Sequence, residues 1–227
     1  MNYDEQAFEA RIYAIDLTNC TTGLDIWVGF PTTAENIADA YKRIGIDGIR
    51  YGPAIGEITT EYPYLEKVYN ENFRSSSVDE LQYFANQYCK LNQYAEIDLF
   101  AAIVETEYPG GLAIDEAINL CNNLDCYDML SGIYYDDDLA DEAIAQGLWE
   151  VPEEYIGLFD PVKASQYVQS AYPGSISKEQ SAYVFRSGKG FQRDYTGPED
   201  IPVECRVDPL LPSDERGPEA PTRPQER

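Results

Sequence analysis

Asp136, Asp137 and Asp138 stand in a row, and three adjacent carboxylates invite a cation. A calcium-binding loop of the EF-hand type needs oxygen ligands at alternate positions, a glycine at the sixth and a glutamate at the twelfth. Counted from Asp136, the sixth residue is Asp141 and the twelfth is Gly147. The spacing fails, and the run reads instead as the acidic start of a helix. Paired carboxylates can also hydrolyse glycosides, but with 41 acids in 227 residues any pair can be nominated. The chain has no histidine, which removes the side chain best suited to proton transfer near neutrality and the commonest metal ligand. Cys20, Cys89, Cys121, Cys126 and Cys205 are odd in number and form no CxxC pair; they read as reduced cytoplasmic thiols. Gly188-Lys189-Gly190 is too short for a phosphate loop. Tyrosines such as Tyr41, Tyr69, Tyr88 and Tyr167 recur at helical spacing and read as core or boundary residues. These residues support no catalysis, so the expectation is a non-enzyme without cofactor or metal.

The informative feature is the acid itself. Net charge is −25, and such self-repulsion persists for solubility, halophily or a basic partner. A halophile would spread its acids, whereas here they are concentrated. From Leu91 to Val162 there is no lysine or arginine, against 17 carboxylates in 72 residues. They alternate with Ile97, Phe100, Ile103, Ile118, Leu130, Leu139, Ile156 and other apolar residues, which disordered acidic segments lack. The stretch is therefore read as a folded, negatively charged surface. Phosphates would be repelled, so nucleic acid is excluded as a ligand and a basic protein surface is the complementary partner. A charge run is ordinarily a solvated face. Its magnitude argues for more, since about twenty net charges along one side would imitate roughly 35 Å of DNA duplex. The candidate surface comprises Glu57, Glu61, Asp98, Glu105, Glu107, Asp115, Glu116, Asp125, Asp128, Asp136, Asp137, Asp138, Asp141, Glu142, Glu150, Glu153 and Glu154.

The elements that would position these acids follow from pattern. After a lead-in over residues 1–10, Arg11 to Thr18 alternates as a strand, and Ile26 to Phe30 is its partner. A helix then starts at Thr32 or Thr33, buries Ile37, Ala40, Tyr41 and Ile44, and stops at Gly45. Ile46 to Ile58, rich in glycine and broken by Pro53, reads as irregular or short strand. Residues 11–63 make an α+β domain. Residues 64–112 read as all helix, with a Ser77–Glu80 capping box and a stop at Pro109-Gly110-Gly111. Residues 113–186 form a second α+β domain: a helix from Ile114, a strand-like Leu124 to Ile133, an acidic helix from Tyr135 to Gln146, a helix from Pro161 and a closing hairpin. Residues 187–227, with seven prolines among mixed charges, read as a disordered tail. No apolar run approaches membrane-spanning length. Met1-Asn2-Tyr3-Asp4-Glu5 carries no basic leader, so a cytoplasmic protein without membrane contact is expected.

The order of these features resembles the ArdA antirestriction proteins, DNA mimics encoded by plasmids, transposons and phages. The likeness runs through Arg11-Ile-Tyr-Ala-Ile-Asp-Leu, Trp27-Val-Gly-Phe-Pro, Glu61-Tyr62 and Leu65, then Leu124-Asp-Cys-Tyr-Asp, Tyr134-Tyr135, Val151-Pro152, Tyr155-Ile156, Tyr167, Gly174 and Tyr183-Val-Phe-Arg186. It covers residues 11–186 and rests on the joint order of short motifs. The resemblance implies an elongated chain of three small domains and a homodimer formed through the third. It further implies competitive binding to the DNA groove of a type I restriction-modification enzyme, at its methyltransferase core, without cofactor. It places the antirestriction motif at Tyr134 to Pro152, and Leu148, Trp149, Val151 and Ile156 are the candidate dimer contacts. Charge and duplex shape are generic. A mimic aimed at a CRISPR effector or nucleoid protein, and an acidic scaffold that mimics nothing, stay open as alternatives.

Overall fold

A computed structural model describes residues 6–91, 95–156 and 158–211. The fold is α+β, with two three-stranded antiparallel sheets and seven α-helices among the described residues. The chain divides into two compact units, each drawing on separate stretches of sequence. One combines residues 1–91, 111–121 and 193–227; the other combines 92–110 and 122–192.

The first unit begins with β1 (Phe8–Asp16), flanked by β2 (Thr22–Phe30) on one side and β3 (Tyr51–Thr59) on the other. β1 alternates buried Phe8, Ala10, Ile12 and Ala14 with more exposed neighbours, the two-residue period of a sheet with one covered face. Helix α1 (Ala34–Ile44) has Thr33 as N-cap, accepting from the Asn36 N–H at 3.2 Å, and Gly45 in the left-handed region as C-cap. β3 is a full nine-residue strand, where an irregular segment or short strand was expected. Pro53 is tolerated because β3 lies at the sheet edge, where the missing N–H breaks no ladder.

Helices α2 (Pro63–Asn72) and α3 (Val78–Tyr88) pack onto this sheet. Phe8 and Phe30 meet Tyr69, Phe73 and Phe84 in one aromatic cluster, with neighbouring ring centroids 4.7–6.2 Å apart. Residues 11–63 and 64–91, assigned to different domains by pattern, thus share a core. Periodicity shows that each helix has an apolar face, not which face of which sheet it meets. Ser77 and Glu80 form the expected capping box.

The stretch from Arg193 to Leu211 departs from the expectation of a disordered tail; Pro212 to Arg227 lies outside the described residues. Tyr195, Ile201 and Val207 are buried. Tyr195 exchanges two hydrogen bonds with Asn119 of α5 (Ile114–Cys121), at 2.8 and 3.0 Å. The Asp79 carboxylate of α3 accepts the N–H groups of Val207 and Asp208 at 2.7 and 2.8 Å. Spaced prolines lower the chain entropy that ordering must overcome, and three apolar anchors together with these hydrogen bonds dock the segment.

The second unit is a sheet of order β4-β6-β5 (Tyr127–Ser131, Ala182–Arg186, Gly174–Ser177) with helices α4 (Ala95–Glu107), α6 (Asp138–Ala145) and α7 (Pro161–Ala171). Leu130, Ile133, Leu139, Ala143, Val168, Tyr183 and Phe185 form its core cluster. Helix α7 starts as its sequence directs: Asp160 accepts from the Val162 and Lys163 N–H groups, and Pro161 occupies the first turn. Among the described residues no helix is long and apolar enough to cross a membrane.

Candidate functional site

None of the seventeen candidate acids is buried. Fourteen of them fall into two groups, separated by what each carboxylate accepts. One group is part of the scaffold. Glu57 pairs with Arg11 at 3.2 Å, and Glu107 with Arg186 at 3.0 Å. Asp125 lies 2.9 Å from Lys189, and Glu116 lies 4.0 Å from Arg193. Glu105 accepts from the Ser177 hydroxyl and from the Lys178 and Glu179 N–H groups, so it clamps the turn between β5 and β6. Glu142 accepts from the Gln146 amide at 2.8 Å. These are the contacts a carboxylate makes when it stabilises local structure.

Asp138 belongs to this group, which corrects the picture of one uniform triple-aspartate cluster. One of its oxygens accepts the N–H groups of Tyr134 and Tyr135 at 3.0 and 2.9 Å. That clamp holds residues 134–137 in a turn, so α6 begins at Asp138 where a helix from Tyr135 was expected. An aspartate that bonds backbone donors just before it competes with helix formation over those residues.

The other group carries free charge. Asp128, Asp136, Asp137, Asp141, Glu150, Glu153 and Glu154 are exposed, and their carboxylates have no ion-pair partner among the described residues. All seven lie in the second unit, which holds 16 acids and four bases, a net of −12. Two of its four bases, Arg186 and Lys189, are already paired. Asp136 and Asp137 also line a cavity of about 280 Å³ together with Val162, Ser165, Gln166 and Gln169 of α7. Glu61, in the first unit, is likewise exposed and has no ion-pair partner among the described residues, while Asp98 and Asp115 are half-buried. Burial pushes the Asp98 carboxyl above its ordinary value. Among the described residues no three acids or cysteines converge to hold a metal ion.

The four candidate dimer contacts are not equivalent. Leu148 and Trp149 pack partly against the core cluster, and Trp149 places its ring 5.3 Å from Phe159 and 5.1 Å from Tyr167. Val151 is half-buried, and of the four only Ile156 is exposed, at 46%. Sequence reading missed the neighbouring apolar surface of Tyr155, Leu158, Phe159, Val162 and Tyr167, each at least 40% exposed. Tyr167, expected at the core or its boundary, is 58% exposed. Tyr134 and Tyr135 are more exposed still, at 70% and 72%. The signal was present as an apolar density from Tyr155 to Tyr167 exceeding what one short helix can bury. No protein-family model matches the chain, and no curated protein matches it in sequence.

Proposed function

We propose that the protein is a DNA-mimicking antirestriction factor that occupies the DNA-binding groove of a type I restriction-modification enzyme. The observation that carries this reading is the set of seven exposed, unpaired carboxylates on a folded unit with net charge −12. Free carboxylates on a rigid scaffold do what phosphates do: they attract a basic groove at long range and are screened by salt. The likeness to ArdA proteins along residues 11–186 supports the same conclusion, including its cytoplasmic setting. Acting by occupancy, the protein needs neither catalysis nor a cofactor.

The second unit also supplies a surface for a homodimer. Tyr155, Ile156, Leu158, Phe159, Val162 and Tyr167 are apolar and exposed among the acids, as expected of an interface. Two copies joined there would double the displayed charge. Their like charges repel, so association strengthens as salt screens them.

A competition assay tests the function directly. A purified type I methyltransferase is bound to labelled duplex, and the protein is titrated in. Displacement that weakens with added salt is expected. Undisturbed DNA binding and cleavage at saturating protein would overturn the proposal; displacement from a CRISPR effector or nucleoid protein instead would redirect it.

A further inference from the structure

The two edges of the first sheet are treated differently. The outer edge of β3 is closed: Pro53 offers no N–H, and the Asn70 side chain of α2 both donates to the Ile58 carbonyl at 2.6 Å and accepts from its N–H at 2.8 Å. Asn70 thus stands in for a neighbouring strand. The outer edge of β2 has no such guard. It runs for nine residues with neither proline nor lysine, the residues that ordinarily discourage pairing at an edge, and among the described residues no strand pairs with it.

Beside that open edge lies a groove of about 470 Å³. Gln6 and four consecutive residues of β2, Ile26 to Gly29, form one wall, and the N-cap Thr33 with Asn36, Ala40 and Arg43 of α1 forms the other. Asp39 and Arg43 line it four residues apart, yet they form no ion pair with each other or with any other described residue. Trp27 stands at the groove 41% exposed. A strand edge facing a helix across a groove is the geometry by which extended peptides are added to a sheet.

We propose that the groove between β2 and α1 receives an extended segment of a partner protein as a fourth strand. The two unpaired charges specify its chemistry. Side chains four apart on a helix are separated by about 6 Å along the axis, and alternate side chains of a strand by about 6.7 Å. A basic residue and an acidic residue two apart on the incoming strand therefore meet Asp39 and Arg43 together. The site lies in the first unit and is independent of the acidic surface.

The test uses a pool of capped hexapeptides of β-branched residues carrying lysine and glutamate two positions apart, in both orders. Trp27 emission reports binding in a Trp149→Phe background, and hydrogen exchange of the wild-type chain reports it without any substitution. The expected result is saturable quenching or shift with slowed exchange at the β2 amides. A central proline in the peptide should lower affinity at least about 10-fold, the equivalent of one lost anchoring contact. Arg43→Gln should weaken the charged peptides several-fold and leave uncharged ones unchanged. The proposal is overturned if no peptide binds saturably, or if binding leaves β2 exchange unchanged. It is equally overturned if β2 protection rises with protein concentration alone, which would make a second copy of the chain the occupant. None of these readouts involves a restriction enzyme, so failure here is distinguishable from failure of the mimic.

Discussion

The first unit holds 25 acids and 12 bases and the second 16 acids and four, so the second carries nearly the same net charge, −12 against −13, on 90 residues in place of 137. The first unit has both kinds of carboxylate: Glu9, Glu35, Asp39, Glu61 and Glu71 are exposed with no ion-pair partner among the described residues, whereas others accept from backbone donors. Asp79 is 5% exposed and anchors the C-terminal segment. Asp16, equally buried, accepts from the Thr18 N–H. One oxygen of Asp47 accepts from the N–H groups of Ile49, Arg50 and Tyr51. In the second unit Glu105 and Asp138 likewise accept from backbone donors, while Asp128, Asp136, Asp137, Asp141, Glu150, Glu153 and Glu154 are exposed with no ion-pair partner among the described residues. The contrast shows that negative composition is not itself a function. An acid bonded to backbone N–H groups belongs to the fold, and only an unpaired, exposed one is available to a partner.

The largest expected effect breaks this comparison at the displayed acids. Converting Asp136, Asp137, Asp141, Glu150, Glu153 and Glu154 together to their amides should weaken target inhibition by roughly 100-fold, six small screened contributions acting together. The fold should survive, because removing mutual repulsion favours the compact state. Asp137→Asn alone should stay within about threefold. A sixfold variant that folds, shown by circular dichroism, and inhibits at wild-type potency would place the working surface elsewhere, with Glu61 and Asp98 next to be changed.

Next comes the inward-facing set. Asp79→Ala leaves two backbone donors without their acceptor and should cost about 2 kcal/mol. Hydrogen exchange should then accelerate at Val207 and Asp208 before it does in β1. Unchanged exchange there would mean that the segment is held without Asp79.

Within the second unit itself, Asp138→Ala should lower stability by about 1 kcal/mol by releasing the Tyr134 and Tyr135 N–H groups, whereas Asp137→Ala should leave the melting temperature unchanged. Equal melting temperatures for the two variants would erase the distinction drawn between a clamping and a displayed aspartate.

The smallest effect is a pH dependence with two opposing arms. Burial raises the Asp79 and Asp208 carboxyls above the ordinary 3.8. The folded state therefore holds their protons more tightly than the unfolded chain, and stability rises as pH falls from neutrality through those raised values. Asp16 and Asp47, held by backbone hydrogen bonds, and Asp200, held first by the Thr196 hydroxyl, titrate below 3.8. Their contribution is complete above 3.8 and is lost as pH falls through the lowered values. Denaturant midpoints should therefore pass through a maximum on the acid side of neutrality, and Asp79→Asn should flatten the upper arm. A monotonic fall from pH 7 downward would refute the assignment of the buried pair.

Much of this molecule is settled by sequence. The cap at Thr33, the Ser77–Glu80 box, the stop at Gly45 and the start of α7 at Asp160-Pro161 are local events. Each depends on side chains within a few residues of the backbone groups they satisfy, so residue type and spacing determine them. The acid-rich, base-free stretch from Leu91 to Val162 is equally plain in composition. Sequence could not decide which faces meet. Phe8 and Phe30 join Tyr69, Phe73 and Phe84 across more than thirty residues, and Asp79 finds Val207 and Asp208 across 128 and 129. The same holds for the sorting of acids into clamps and free charges: Glu105 and Asp128 are chemically alike, and only the turn between β5 and β6, brought to Glu105 by tertiary packing, gives one of them backbone donors to bind and leaves the other facing solvent.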